Sequence, residues 1–154
     1  MKTILITGAT SGIGLAVAKK LANEKNHLIL CGRRQQKLDE IFEELSKSAN
    51  ILSLCFDVSK KEEVNKVLEN LPKEFSSIDI LINNAGNAHG RDTIQEGSLD
   101  DWDNMIDSNV KGLLYVSRVV MPKMIEKQSG HIINIGSLAG REVYEKGNIY
   151  CATK

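Results

Sequence analysis

Three side chains near the end of the sequence could together carry out acid–base chemistry on an oxygen atom. Ser137, Tyr150 and Lys154 supply a hydroxyl, a phenol and an ammonium group. On a helix, Tyr150 and Lys154 stand at i and i+4 and project from one face. A phenol beside a cation can serve as a general acid or base, and a serine can hydrogen-bond a carbonyl or alcohol oxygen. Taken singly, each has a simpler interpretation, as a chance pair, a helix cap or a solvated lysine.

A glycine-rich turn near the start of the chain could bind a diphosphate. Gly8, Gly12 and Gly14, spaced G-x-x-x-G-x-G, separate the apolar run Ile4–Ile6 from a helix that carries Ile13 on its apolar face. Glycine permits a tight turn and close backbone approach, and a helix start offers unpaired N–H groups to an anion. The spacing differs from the common G-x-G-x-x-G fingerprint. A glycine turn that binds nothing is therefore the alternative at this point.

The residues after the second apolar run, Leu28–Cys31, indicate which nucleotide would bind. Chains that bind NAD usually place Asp or Glu about 20 residues after the glycines, to hold the ribose 2′-hydroxyl. Here the run is followed by Gly32, Arg33 and Arg34, without an acid. Guanidinium groups can bind a 2′-phosphate, at about 1.5–3 kcal/mol per charge-assisted hydrogen bond. We expect NADP (NADPH) as cofactor, the alternative being two arginines solvated at a surface loop.

Composition excludes several other classes of function. The chain has 154 residues and a formal net charge of zero, which gives no electrostatic case for nucleic acid or an anionic membrane surface. The first apolar run is too short for a signal peptide or a membrane span. Cys31, Cys55 and Cys151 show no metal-ligand spacing, and we expect Cys31 and Cys55 to be buried reduced thiols. We therefore expect a cytoplasmic protein without a metal site.

Apolar runs alternate with helical periodicities along the chain, which predicts an α/β fold. The runs are continuous, as expected for a parallel sheet with helices on both faces. Right-handed crossovers then give a doubly wound, Rossmann-like, three-layer α/β/α domain with strand order 3-2-1-4-5 over residues 1–154. Ligands bind at the carboxyl ends of such strands. Five residues follow those ends: Gly8, Arg33, Asp57, Asn84 and Ser137.

Two of the connecting helices show local signals. The second carries Leu38, Ile41, Phe42 and Leu45 at i, i+3, i+4 and i+7, which predicts one buried face. For the third, Ser59 and Glu62 match a capping box that would open the helix.

A long helix is predicted over residues 98–126, beginning near Ser98. Its apolar band runs from Trp102 to Met124 and is too wide for a helix that packs on one side only. We therefore expect a second buried face, in a homo-oligomer (dimer or tetramer) formed through this helix. Pro122 should kink the helix or end it.

Together, these residues resemble the short-chain dehydrogenase/reductase family over the whole chain. The matching motifs are Thr7-Gly8-x-x-x-Gly12-Ile13-Gly14, Asn83-Asn84-Ala85-Gly86, Asn109, Ser137 and Tyr150-x-x-x-Lys154. Three further stretches look like the branch of NADP-dependent 3-hydroxy acid (serine-type) dehydrogenases. These are Gly32-Arg33-Arg34, Ile78-Asp79-Ile80-Leu81 and His131-Ile132-Ile133-Asn134-Ile135-Gly136-Ser137.

The resemblance implies a role for each motif. Tyr150 would donate or accept the proton, Lys154 would support it and hold the nicotinamide ribose, and Ser137 would orient the substrate oxygen. Asn109 would bend the long helix and hold a water in a proton relay, the alternative being an asparagine bonded to nearby backbone. Substrate would contact Ser137 and Tyr150. The implied cofactor-binding residues are Gly8, Thr10, Ser11, Gly12, Ile13, Gly14, Arg33, Arg34, Asp57, Val58, Asn84, Ala85, Gly86, Tyr150 and Lys154.

The resemblance implies an NADP-dependent oxidoreductase acting on a small hydroxy or oxo substrate. A 3-oxoacyl reductase is the main alternative within the enzymes, although no basic patch for an acyl carrier is obvious. Family members continue past the lysine through two further strands, so we expect either a longer chain or a fragment. For a fragment, a non-catalytic NADP-binding module is the alternative function.

Overall fold

The protein folds around one five-stranded parallel sheet. A computed structural model describes residues 1–154. Its strands are β1 (Lys2–Ile6), β2 (Asn26–Gly32), β3 (Asn50–Cys55), β4 (Ile80–Asn83) and β5 (His131–Asn134). They pair in the order β3-β2-β1-β4-β5, every pair parallel. The predicted fold class and strand order are confirmed.

Helices connect the strands and cover both faces of the sheet. They are α1 (Gly12–Leu21), α2 (Gln35–Leu45), α3 (Lys61–Leu68), α4 (Leu99–Met105), α5 (Leu113–Glu126) and α6 (Asn148–Thr153). A π-helical segment, Ile106–Gly112, joins α4 to α5, and single 3₁₀ turns occupy Lys73–Phe75 and Leu138–Gly140. No helix combines the length and the apolar character needed to cross a bilayer.

Alternate residues of the central strands enter two separate hydrophobic cores. In β1, Leu5 packs into the core that also contains Val64 of α3 and Val116 of α5. Its neighbours Ile4 and Ile6 pack on the opposite face with residues of α1 and α2. Because both faces are covered, β1 shows the continuous apolar run that predicted it.

Two side chains predicted on buried helix faces are exposed. Leu38, Ile41 and Leu45 of α2 are buried, but the Phe42 residue remains 43% exposed. Ile13 in the first turn of α1 is 60% exposed and lines a cleft at the edge of the sheet. The burial predicted from periodicity is wrong for these two residues, because the apolar stripe of each helix is wider than the part that meets the sheet.

The predicted capping box and one predicted buried thiol are also wrong. The helix α3 begins two residues after Ser59, whose N–H and hydroxyl both donate to Asp57 Oδ1, at 2.9 and 2.8 Å. Glu63, rather than Glu62, accepts the N–H of Asp57 at 2.9 Å. Cys55 is exposed, at the end of the edge strand β3. All three cysteines are free, including the two that were predicted to be reduced thiols.

The long helical stretch consists of three consecutive pieces. Ser98 caps α4 through a 3.4 Å bond from the N–H of Asp101, close to the predicted start. Pro122 lies inside α5, which continues to Glu126, so the prediction that it could end the helix is wrong. The missing proline N–H costs one helical hydrogen bond, and burial of Val120 and Met124 on either side holds the helix in place.

Candidate active site

A cleft of about 740 Å³ opens at the carboxyl ends of the strands. The five residues predicted to meet there all line it: Gly8, Arg33, Asp57, Asn84 and Ser137. Of the remaining predicted site residues, the cleft is lined by Thr10, Ser11, Gly12, Ile13, Arg34, Val58, Ala85, Gly86, Tyr150 and Lys154. Only Gly14 and Asn109 lie behind its wall. The parallel topology explains this convergence, because every strand ends at the same edge.

The glycine-rich loop between β1 and α1 forms one side of the cleft. Gly8 and Gly12 have φ angles of 64° and 53°, a left-handed region that favours glycine. Gly14 allows close packing, since a Cβ there would lie 2.4 Å from both Asn84 Nδ2 and the Gly8 carbonyl oxygen. A Cβ on Gly12 would meet nothing within 4 Å. The start of α1 is therefore open for a ligand.

The turn after β4 is fixed to this loop by hydrogen bonds. The Thr7 hydroxyl accepts the N–H groups of Asn84 and Ala85, both at 3.0 Å. Asn84 Nδ2 donates to the carbonyl oxygens of Thr7 and Gly8, at 2.9 and 3.1 Å. Thr7 is 2% exposed and touches no part of the cleft, so it supports the site from beneath. Sequence reasoning placed Thr7 in a motif but gave it no role.

The two arginines after β2 make different contacts. Arg33 Nη1 lies 3.5 Å from Asp57 Oδ2. Arg34 Nη2 donates to Thr10 Oγ1 at 2.8 Å and to Ser11 Oγ at 3.0 Å. Partial burial raises the pKa of the Asp57 carboxyl. Hydrogen bonds from Ser59 and the charge of Arg33 outweigh burial and lower this pKa below its usual range.

Ser137, Tyr150 and Lys154 lie together at the other end of the cleft. Tyr150 projects from α6, and Ser137 follows β5 and precedes the 3₁₀ turn, where its Oγ accepts the N–H of Ala139 at 3.2 Å. Lys154 Nζ donates to the Ile135 carbonyl oxygen at 2.9 Å. Gly86 borders this group, since a Cβ there would lie 3.4 Å from Lys154 Nζ. The phenol, hydroxyl and ammonium groups thus line one space.

Asn109 lies in the π-helical segment, behind the cleft wall, and forms hydrogen bonds with that wall. Its Oδ1 accepts the N–H of Asn87 at 2.8 Å, and its Nδ2 donates to the Asn87 carbonyl oxygen at 2.9 Å. Nδ2 also donates to Thr153 Oγ1 of α6 at 2.9 Å. The backbone that Asn109 bonds is thus in the loop after β4 and not in its own helix. This side chain links the loop to the helix of Tyr150.

Several lining residues were missed by sequence reasoning. They come from the ends of β2 and β5, from the stretch after β3, from the loop after β4 and from the π-helical segment: Cys31, Gly32, Phe56, Asn87, Ala88, Ser108, Ile135 and Gly136. Asn87 and Ala88 directly follow the Asn83-Asn84-Ala85-Gly86 motif, so its extension by two residues could have found them. No group of three His, Cys, Asp or Glu side chains is arranged to hold a metal ion.

The cleft fits an extended dinucleotide phosphate. The first turn of α1 presents N–H groups beside Gly12, where no side chain obstructs an anion. The Arg33 side chain is 63% exposed and lines the same cleft, at the end that a 2′-phosphate would require. The residues present therefore suit NADP chemically.

Comparison with known proteins places these features in context. The sequence profile described as short chain dehydrogenase matches residues 2–154. An NADP-dependent 3-hydroxy acid dehydrogenase of Escherichia coli strain K12 is 44% identical over 151 residues, which cover 98% of this chain and 60% of the relative. A Schizosaccharomyces pombe protein of the same name is 47% identical over 156 residues, covering 99% and 60%. The chain thus spans about 60% of the length of these curated relatives.

Solved structures show the same arrangement. A closed form of serine dehydrogenase complexed with NADP⁺ superposes with a TM-score of 0.94 at 43% identity, covering 99% of this chain and 60% of the other. A metagenomic short-chain oxidoreductase in complex with NADP gives a TM-score of 0.93 at 30% identity, covering 99% and 70%. The resemblance predicted from the motifs is confirmed.

Proposed function

The chain belongs to the short-chain dehydrogenase family, and we propose that it acts as an NADP-dependent oxidoreductase on the CH–OH group or ketone of a small substrate. One observation carries the proposal. The glycine-rich loop, Arg33 and the Ser137, Tyr150 and Lys154 group line a single cleft. A dinucleotide that bridges the two ends would bring its reactive ring to the phenol.

The chemistry divides between the cofactor and the chain. Nicotinamide, when bound, supplies or accepts the hydride. Ser137 hydrogen-bonds the substrate oxygen, and Tyr150 donates a proton to that oxygen in reduction or removes it in oxidation. Lys154 places a positive charge at the same end of the cleft, where it would support the phenol and hold the nicotinamide ribose. Asn109 holds Asn87 and α6 in position and contributes to the proton relay.

A small 3-hydroxy acid, or the corresponding 3-oxo acid, is the proposed substrate class. Support comes from the relatives named 3-hydroxy acid dehydrogenase, at 44% and 47% identity. The end of β2 supports NADP over NAD, since neither the strand end nor its loop offers an acid to a ribose 2′-hydroxyl and Arg33 is exposed there to a 2′-phosphate.

We also propose that residues 1–154 form one dinucleotide-binding domain, because all five strands share one sheet. A homo-oligomer formed through the 98–126 helix is supported by exposed apolar residues at i, i+4, i+11 and i+15. These are Val110, Leu114, Met121 and Ile125. A cytoplasmic location is supported by three unpaired cysteines.

Tyr150→Phe tests the proposed reaction, with Tyr115→Phe as a matched control that removes a hydroxyl outside the cleft. We expect Tyr150→Phe to lower kcat by about 10²–10⁴-fold with 3-oxo acids and NADPH, because it removes the proton donor. NADPH affinity, measured by fluorescence titration, should stay within about twofold for both variants. Folded wild-type protein that binds NADPH but turns over no ketone in a broad panel would refute the enzyme and leave a binding module.

A further inference from the structure

Arg33 and Arg34 are neighbours in sequence and both line the cleft, but their guanidinium groups have different partners. The Arg33 side chain is 63% exposed, and its one polar contact is the 3.5 Å approach to Asp57. Arg34 Nη2 instead reaches back to the glycine-rich loop, contacting Thr10 Oγ1 at 2.8 Å, Ser11 Oγ at 3.0 Å and the Thr10 carbonyl oxygen at 3.4 Å. All three acceptors belong to the loop that would surround a diphosphate.

The same loop touches the end of β2 at two other points. The Ala9 N–H donates to the Cys31 carbonyl oxygen at 2.9 Å. Gly32 lies so close to Thr10 that a Cβ on it would fall 2.5 Å from Thr10 Cγ2. Arg34 therefore adds a third contact between the loop and the end of β2, beside the backbone hydrogen bond and the close packing of Gly32 against Thr10.

We propose that Arg34 is a positioning residue that braces the phosphate-binding loop, residues 8–12, against the end of β2, while Arg33 alone distinguishes NADPH from NADH. This inference rests on the proposed function, whose cofactor it concerns. Two glycines in the loop have positive φ, so the unbraced loop has many accessible conformations. A loop that is ordered before binding loses less conformational entropy when the ligand binds.

The brace has a distinctive consequence for nucleotide selectivity. The loop faces the diphosphate, which NADH and NADPH share, so loss of Arg34 should weaken both to the same extent. Arg33 is free to meet the 2′-phosphate, which only NADPH carries. Loss of Arg34 should therefore leave the ratio of NADPH affinity to NADH affinity unchanged, whereas loss of Arg33 should lower that ratio.

The experiment compares Arg34→Ala, Arg34→Lys and Arg33→Ala in the full chain. Dissociation constants for NADPH and NADH come from fluorescence titration at fixed ionic strength. Amide hydrogen exchange of residues 8–12 is measured without nucleotide. Arg34→Lys keeps the charge but loses the guanidinium geometry, so it separates bracing from simple attraction to phosphate.

We expect Arg34→Ala to weaken NADPH and NADH equally, by about tenfold, and to speed exchange in the loop. Arg34→Lys should share the equal loss. Arg33→Ala should weaken NADPH by about 10- to 100-fold, leave NADH within about twofold and leave loop exchange unchanged.

A double-mutant cycle of Arg34→Ala with Thr10→Val supplies a further test. Thr10→Val removes the shortest acceptor, so Arg34→Ala should cost less NADH affinity in that background than in the wild type. Additive losses would overturn the brace.

Other results would overturn the inference differently. A selective loss of NADPH in Arg34→Ala, with Arg34→Lys close to wild type, would make Arg34 a reader of the 2′-phosphate. If amide hydrogen exchange of residues 8–12 is unchanged in Arg34→Ala, Arg34 does not brace the loop. Equal losses of the two nucleotides in Arg33→Ala would remove the selective role of Arg33. A wild type that binds neither nucleotide would instead refute the proposed function, and with it any role of Arg34 in cofactor binding.

Discussion

Replacing Asn109 by alanine should destabilise the protein by about 3 kcal/mol. The side chain is 5% exposed and makes three hydrogen bonds, at 2.8, 2.9 and 2.9 Å. Each intramolecular hydrogen bond contributes about 1 kcal/mol net, so three lost bonds account for this figure. The backbone N–H and carbonyl of Asn87 lose their partners in the variant, which makes the loss larger if water does not reach them.

The same substitution should lower activity, because Asn109 connects two parts of the site. One bond reaches Thr153, which follows Tyr150 by three residues in α6, and the others fix Asn87 in the cleft wall. Without these bonds, the loop that follows β4 can move independently of α6. A misplacement of about 1 Å can cost on the order of 10²-fold in rate.

Urea unfolding and calorimetry measure the effect, with Asn104→Ala as the control. Asn104 is an exposed asparagine in α4, on the same helical stretch. For a chain of this size, about 3 kcal/mol corresponds to a fall in Tm of roughly 6–12 °C. Asn104→Ala should change stability by less than about 0.5 kcal/mol. If Asn109→Ala changes stability by as little as Asn104→Ala does, the structural role assigned to these bonds is refuted.

Three further predictions concern packing, acid stability and assembly. Gly14→Ala should cost about 1–3 kcal/mol in urea unfolding, because its Cβ would lie 2.4 Å from Asn84 Nδ2; wild-type stability would contradict this. Burial raises the pKa of Asp79, but a backbone N–H and Lys127 at 3.0 Å lower it more. Its contribution to stability should therefore be complete above about pH 4 and fall as acid protonates it, and Asp79→Asn should flatten that dependence in urea midpoints between about pH 2 and 6. Leu114→Arg should convert an oligomer to monomers in light scattering, because the residue is 56% exposed and lies among the exposed apolar residues of the 98–126 helix; a monomeric wild type would contradict the interface.

Most of the fold could be predicted from the sequence because its signals are local. Continuous apolar runs such as Leu28–Cys31 are typical of strands that are buried on both faces, and the intervening periodicities indicated the helices between them. Right-handed crossovers then left few strand orders, and the observed one is among them. The same logic brought Gly8, Arg33 and Ser137 to one edge of the sheet.

Local patterns were less reliable where a side chain had more than one possible neighbour. Ser59 fits a capping box, but Asp57 lies two residues before it and accepts both of its donors. Phe42 follows the helical period, but α2 meets the sheet along a narrower line than its apolar stripe. Periodicity identifies the residues that share a face and cannot say how much of that face is covered.

The sequence by itself determined the family, the sheet and the set of residues that meet in the cleft. Only the tertiary structure decided which of two adjacent arginines contacts the loop and which stays exposed, and that Asn109 bonds Asn87 and Thr153. The reason is that these partners lie 22 to 44 positions apart in the chain. Their distances depend on strand register and helix placement, which no local pattern of residues encodes.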